Sequence, residues 1–156
     1  MWQQPSVEQV FLQYRQTVYR LALARLGNPA AAEDVVQEVF LRYVRKAPVF
    51  REAEHCKAWL LRVTVNCCRA AATTAWVRHT VPLEDTLTAA PPEHLGVFEA
   101  VQALPPAQRV AVHLFYYEGY AVREIAQLTS ATEAAVKTRL HRARAALRDL
   151  LDTNIE

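Results

Sequence analysis

Four basic side chains, Lys137, Arg139, Arg142 and Arg144, fall within eight residues near the end of this 156-residue chain. They are interleaved with Thr138 and His141 and preceded by Thr132 and Ala134. Cations at that spacing can hold phosphates, while a threonine and an arginine one turn apart can reach base edges. On a helical wheel Val136, Leu140, Ala143, Leu147 and Leu150 form one side. Ala134, Thr138, His141 and Arg142 fall opposite, flanked by Lys137 and Arg139. Thr132 is a good N-cap for such a helix. Thr138 and Arg142 are the candidates for base contact, Ala134 can pack on a thymine methyl, and Lys137, Arg139 and Arg144 suit phosphates. A short apolar-patterned helix containing EIAQL and a polar break precede it, which is the sequence form of a helix-turn-helix.

Other chemistries find little support. The chain has no GxGxxG, P-loop or HExxH, and only 3 glycines. Cys67-Cys68 and His55-Cys56 are adjacent pairs without metal-ligand spacing. Glu33-Asp34 and Glu84-Asp85 are sequence neighbours rather than facing acid and base. No enzyme, cofactor or metal is expected. Cys56 and Cys67 fit a core stripe, whereas Cys68 is expected to face outward as a candidate redox-sensitive thiol.

The apolar fraction of 52% suffices for a folded core, and 22% charged residues argues against disorder. No apolar run approaches the roughly 18 residues that cross a bilayer, and the N-terminus lacks the pattern of a secretory signal. An odd count of 3 cysteines is no disulfide framework, so a reducing cytoplasm fits best and no membrane partner is expected. The net charge of +2 is unevenly divided. Residues 1–78 carry 11 Lys/Arg against 6 Asp/Glu, residues 79–108 carry 4 acids and no base, and residues 109–156 carry 7 bases against 6 acids. Such focused charge suits a protein that touches DNA at a few points rather than one that coats it.

The elements that must position these groups are helical. Ser6 and Gln9 form a capping box before Val7, Val10, Phe11, Tyr14, Val18 and Leu21, and Gly27-Asn28-Pro29 ends that helix. Asn28 caps a second helix that runs to about Ala47, with Pro29 at its first position. Its apolar face is Val35, Val36, Val39, Phe40, Tyr43 and Val44. A third helix from about Glu54 to Ala72 or beyond places Cys56, Trp59, Leu60, Val63, Cys67 and Ala70 on one stripe. Thr80 to Pro92 has three prolines, two acids and no period, and reads as an extended linker. A short helix follows from Val97 to Leu104, then one from Pro106 or Ala107 to Glu118-Gly119. The expected fold is therefore all-α, with two small helical domains joined by a linker.

The second helix carries another candidate surface. Asp34, Gln37, Glu38, Leu41 and Arg45 share a face opposite its apolar stripe, and a mixed polar face around an outward leucine suits docking to another protein.

These segments together resemble a known family. EIAQL followed by AAVKTRLHRARAALR, with LPPAQRVAVHLFYYEGY before it, resembles region 4 of the small, extracytoplasmic-function sigma factors of bacterial RNA polymerase. AAEDVVQEVFLRYVRK, from Ala31 to Lys46, resembles the signature of sigma region 2. AWLLRVTVN, from Ala58 to Asn66, resembles the segment that leads into −10 promoter reading. VRHTVPLED resembles the junction into the linker, and the resemblance covers about residues 7–151.

The resemblance implies region 2 at 1–78, a linker at 79–96 and region 4 at 97–156. It implies core RNA polymerase and promoter DNA as partners and leaves an anti-sigma factor open. Asp34, Gln37, Glu38, Leu41 and Arg45 would then bind core polymerase. Arg62, Asn66 and Arg69 would touch the −10 element. Thr132, Ala134, Lys137, Thr138, Arg139, His141, Arg142 and Arg144 would face the −35 element. The acidic linker would thread a polymerase channel shaped for nucleic acid.

Three departures matter. Thr129-Ser130-Ala131 stands where the family usually has a turn glycine, so strain of roughly 1 kcal/mol or a different turn shape is expected. Ala121 replaces the usual Ser or Thr cap, so Glu124 is expected to lose its capping partner. Ala70 stands where an Asp is usual, which implies a weaker grip on −10 DNA. Two alternatives remain at this level: a stand-alone helix-turn-helix regulator, and a degenerate sigma that docks on polymerase without opening DNA.

Overall fold

The computed structural model describes residues 2–78 and 96–153, and among these the regular structure is entirely helical. The segment read as an acidic linker falls almost wholly outside the described residues. The chain divides into two compact units, Met1–Arg78 and His79–Glu156.

In the first unit, α1 (Val7–Leu26), α2 (Pro29–Lys46) and α3 (Ala53–Arg78) each pack on the other two. The ends of α1 are set locally. The Gln9 amide donates to Ser6 Oγ at 3.2 Å, and the Ser6 amide donates to Gln9 Oε1 at 2.9 Å. At the other end Gly27 takes φ 72°, a left-handed conformation that glycine adopts without a Cβ penalty, and its N–H reaches the Leu23 carbonyl. Asn28 Oδ1 then accepts from the Ala31 amide at 3.1 Å and starts α2 behind Pro29. The core joins Val10, Tyr14 and Val18 of α1 to Val35, Val36, Val39 and Tyr43 of α2 and Cys56, Leu60 and Cys67 of α3.

The helix α3 departs from the single stripe expected of it. Leu61, Thr64, Val65 and Cys68 are buried in addition to Cys56, Leu60 and Cys67, while Ala70 is exposed. A helix that packs on two neighbours at once buries about half its circumference, which one 3.6-residue stripe understates. The hydroxyl of Thr64 is accommodated by donating to the Leu60 carbonyl at 2.6 Å. The loop between α2 and α3 is held by Gln4, whose amide donates to the Pro48 carbonyl at 2.9 Å and accepts from the Phe50 amide at 2.8 Å. Behind it Tyr43, Phe50 and Trp59 form a ring cluster with centroids 5.6–6.5 Å apart.

In the second unit, α4 (Val97–Gln102) is two residues shorter than expected. Arg109 Nη1 closes its end by donating to the carbonyls of Gln102 and Leu104, at 3.2 and 2.8 Å. The next helix, α5 (Pro106–Val112), runs into a π-helical turn, His113–Tyr117, that the sequence did not signal. Gly119 ends that turn at φ 78°. Then come α6 (Val122–Thr129) and α7 (Glu133–Thr153), and α7 packs on α4, α5 and α6. Leu114, Ile125, Val136, Leu140 and Ala143 are the buried centre.

The turn between α6 and α7 keeps left-handed geometry without glycine: Ser130 sits at φ 54°, ψ 43°. The Ala131 amide donates to the Ala126 carbonyl at 2.9 Å, so the chain accepts the strain and keeps the turn. At the start of α6 the expectation about Glu124 is corrected. Its Oε1 accepts from the Ala121 amide at 2.9 Å, so half of a capping box survives, and only the cap side chain is missing. Ala121 already has extended cap geometry, φ −74° and ψ 159°. Ala121→Ser should therefore complete the box and stabilise this unit by about 1 kcal/mol, read as a rise in its thermal unfolding midpoint.

Candidate polymerase and nucleic-acid interfaces

The first turn of α7 is fixed by Thr132, whose Oγ1 accepts from the Ala135 amide at 3.0 Å. Val136, Leu140 and Ala143 anchor the helix inward, with Val136 and Ala143 fully buried. That inward stripe leaves Ala134, Lys137, Thr138, His141, Arg142 and Arg144 exposed with Thr132, and Arg139 half-buried at the edge. All eight side chains proposed to face DNA thus lie on one helix or its cap. Arg144 Nη1 donates to Tyr116 Oη at 3.1 Å, so the π turn after α5 borders this face.

On α3, Arg62, Asn66 and Arg69 are exposed at i, i+4 and i+7, one row along the helix. Ala70 is exposed beside them and adds neither charge nor acceptor.

On α2, Asp34, Gln37, Leu41 and Arg45 are exposed and Glu38 is half-buried. Glu38 accepts from Arg42 Nε at 3.0 Å in an i,i+4 ion pair, so its carboxylate is held along the helix. Leu41 is 48% exposed and Val44 56% exposed, although Val44 was expected on the core stripe. Val7 and Phe11 of α1 also leave the core, and Leu12 is 78% exposed. Together with Glu8, Gln37 and Phe40 these residues line an open groove of about 650 Å³ between α1 and α2. Phe11 meets Phe40 edge-on at 5.0 Å on its floor. Arg15, paired with Glu33 at 3.2 Å, lies over the Phe11 ring.

Val7, Phe11, Leu12 and Val44 are the residues that sequence reasoning missed. The available signal was Leu12, an apolar residue that falls on the side of α1 opposite the stripe of Val10, Tyr14, Val18 and Leu21. The polar face of α2 and this apolar groove share Gln37 and Leu41, so they are one surface.

Cys68 does not belong to any exposed site. It is buried, and desolvation pushes its thiol from 9.0 up to about 12 despite the nearby Arg25 guanidinium. Cys68 should resist alkylation at pH 8 in the folded protein and react once denatured, as followed by mass spectrometry. The raised value favours the folded state fully below about pH 9, and that contribution is lost as pH climbs toward about 12.

Comparison with known proteins gives these surfaces a family. Residues 10–78 match the family model described as Sigma-70 region 2, and residues 95–147 match Sigma-70 region 4. The chain is 33% identical over 151 residues to the ECF RNA polymerase sigma factor SigM of Mycobacterium tuberculosis, covering 94% of this chain and 77% of that relative. Among solved structures, the sigma factor RpoE in complex with the anti-sigma factor NepR from Bartonella quintana shares the fold. Its TM-score is 0.74 at 22% identity, over 93% of this chain and 96% of that one. CnrH, solved in complex with the cytosolic domain of CnrY, has a TM-score of 0.65 at 23% identity, over 95% and 88% of the two chains. Two family models in order along the chain and a relative matched over most of its length lead to one conclusion: the chain belongs to the extracytoplasmic-function sigma factors of RNA polymerase, within the sigma-70 family.

Proposed function

We propose that this sigma factor directs transcription initiation through a two-ended grip, with a docking surface on residues 1–78 and a duplex-reading surface on residues 97–156. Core polymerase is bound by Asp34, Gln37, Glu38, Leu41 and Arg45 of α2, with Val7, Phe11, Leu12 and Val44 completing the apolar centre. Arg62, Asn66 and Arg69 of α3 contact the −10 element. Thr138 and Arg142 read −35 base edges, Ala134 packs on a thymine methyl, and Lys137, Arg139 and Arg144 hold phosphates, with Thr132 and His141 completing the contact face. Residues 79–96 tether the two, their acidic charge suited to a channel that otherwise carries nucleic acid.

The observation that carries this reading is the pairing of two unlike exposed surfaces on two units. One is apolar at its centre with a polar rim, as protein interfaces are. The other is a helix-turn-helix whose second helix turns cations outward. Nothing in such a mechanism requires a catalytic group: promoter opening is driven by binding energy, and the work is done where polymerase and DNA meet, in the cytoplasm. No helix among the described residues is long and apolar enough to cross a membrane. An anti-sigma factor is a further partner of this reading, acting by covering the docking groove and so competing with polymerase.

With so few phosphate contacts on α7, the free chain should bind promoter duplex weakly and with a steep salt dependence. Titrating promoter duplex with the free chain and with its complex with core polymerase tests this. Tight, sequence-specific binding is expected only in the complex. Equally tight specific binding by the free chain would favour a stand-alone regulator instead.

A further inference from the structure

The hydrogen bond from Arg144 to Tyr116 joins two exposed side chains 28 positions apart in sequence. Tyr116 is 55% exposed on the π turn, and Arg144 is exposed on α7. A hydrogen bond between groups that water could solvate equally well adds little to folding. Its physical consequence is to restrict a long, flexible guanidinium to one position, which lowers the entropy lost when that group meets a ligand.

Arg144 is seven residues after Lys137 and three after His141, so the three form one row on the outer face of α7. It lies about 10 Å further along the helix axis than Lys137. That is away from the N-terminal turns that reach base edges and toward the position where a recognition helix leaves the groove past the backbone. The donor inventory fits an anion. Arg144 spends one N–H on the tyrosine oxygen and keeps four, and the Tyr116 hydroxyl, as acceptor in that bond, keeps its own O–H to donate. Both sets of donors remain open to solvent.

We propose that Tyr116 is a phosphate-binding residue of the duplex-reading unit, and that with Arg144 it forms a two-donor site for one DNA phosphodiester. The tyrosine's contact comes from outside the recognition helix, is blind to base sequence and helps fix the register of α7 on the duplex. It rests on the reading of α7 as the −35 helix. The pair does two things at once: Tyr116 orients the arginine, and its hydroxyl supplies a second hydrogen bond to the same phosphate.

The test uses the full chain bound to core polymerase on promoter DNA over a range of salt, with wild type, Tyr116→Phe, Arg144→Ala and the double variant. Specific promoter binding by the wild-type complex is the control, and its absence would overturn the −35 reading itself. Tyr116→Phe should weaken binding about three- to tenfold on every −35 sequence, with the salt slope unchanged because no charge is removed. Arg144→Ala should weaken binding and lower the salt slope by about one. The tyrosine substitution should cost clearly less when Arg144 is already absent, since the two act as a unit. Unchanged binding by Tyr116→Phe, an equal effect in both backgrounds, or a loss confined to one base position would overturn the proposal. A lowered thermal midpoint with unchanged promoter affinity would also overturn it, by making the hydroxyl structural.

Discussion

Leu41→Glu is expected to weaken binding to core polymerase about 100-fold or more, roughly 3 kcal/mol, with the fold intact. Leu41 stands where the polar face of α2 meets the apolar groove, and it lines that groove with Phe11, Leu12 and Val44. Covering this surface with a partner would desolvate the new carboxylate among Val, Leu and Phe side chains, a cost that the exposed Arg45 one turn on would offset only in part. Taking a charge out of water is among the largest penalties a point substitution can place there. The free protein should not notice. Leu41 is already 48% exposed, and glutamate is as good a helix former as leucine on a solvated face. Thermal unfolding checks the second half of the prediction and a polymerase pull-down or titration the first. Wild-type affinity in the folded variant would remove α2 from the docking surface.

Arg142→Ala is expected to cost about 1–3 kcal/mol at one −35 base position, roughly 5- to 150-fold, while leaving other positions unchanged. Arg142 is exposed, lies one turn after Thr138 and projects from the side of α7 opposite buried Leu140 and Ala143. An arginine in that place can meet a guanine edge with two parallel hydrogen bonds, and losing both is felt only where that guanine stood. Lys137→Ala is the contrast, with uniform weakening and a salt slope smaller by about one. Binding measured across every substitution of the −35 element separates the two patterns. Uniform weakening by Arg142→Ala would move it to the phosphate contacts.

The contrast between these sites reflects what local sequence encodes. Helix ends depend on neighbours, so Ser6 with Gln9, Asn28 with Pro29 and Thr132 were all legible as caps and appear as such. The buried face of α7 was legible too, because one helix packed along one side shows one period. What failed was whatever a second neighbour decides. Cys68 was assigned to solvent from a single stripe, yet α3 packs on both α1 and α2 and buries it. Val7, Phe11 and Val44 fit the core stripes by period, yet they stand exposed and line the groove. The π turn was invisible for another reason. Its Glu118-to-His113 bond adds a residue to a turn whose composition is ordinary, so no local pattern marks it. The Tyr116 contact went unseen with it.

Ser130 shows a local rule overridden. Left-handed backbone there costs roughly 1 kcal/mol without glycine, and the turn forms regardless because α6 and α7 are held by Ile125, Leu128, Val136 and Leu140. A strained turn that persists through packing ties the geometry of α7 to the core beneath it. Ala70 is exposed in the row of Arg62, Asn66 and Arg69 and brings no charged side chain to it, so under the proposed reading the grip on −10 DNA should be the weaker end.

The most direct test mixes purified protein with core RNA polymerase and a library of promoter sequences and sequences the transcripts. A two-ended grip predicts a stable complex with core and transcripts from templates that share both a −35 and a −10 element. Transcripts should fall sharply when the spacing between the two elements is changed. A complex with core that yields no transcript from any template would contradict promoter opening by this chain. Absence of both complex and transcript would contradict the account as a whole.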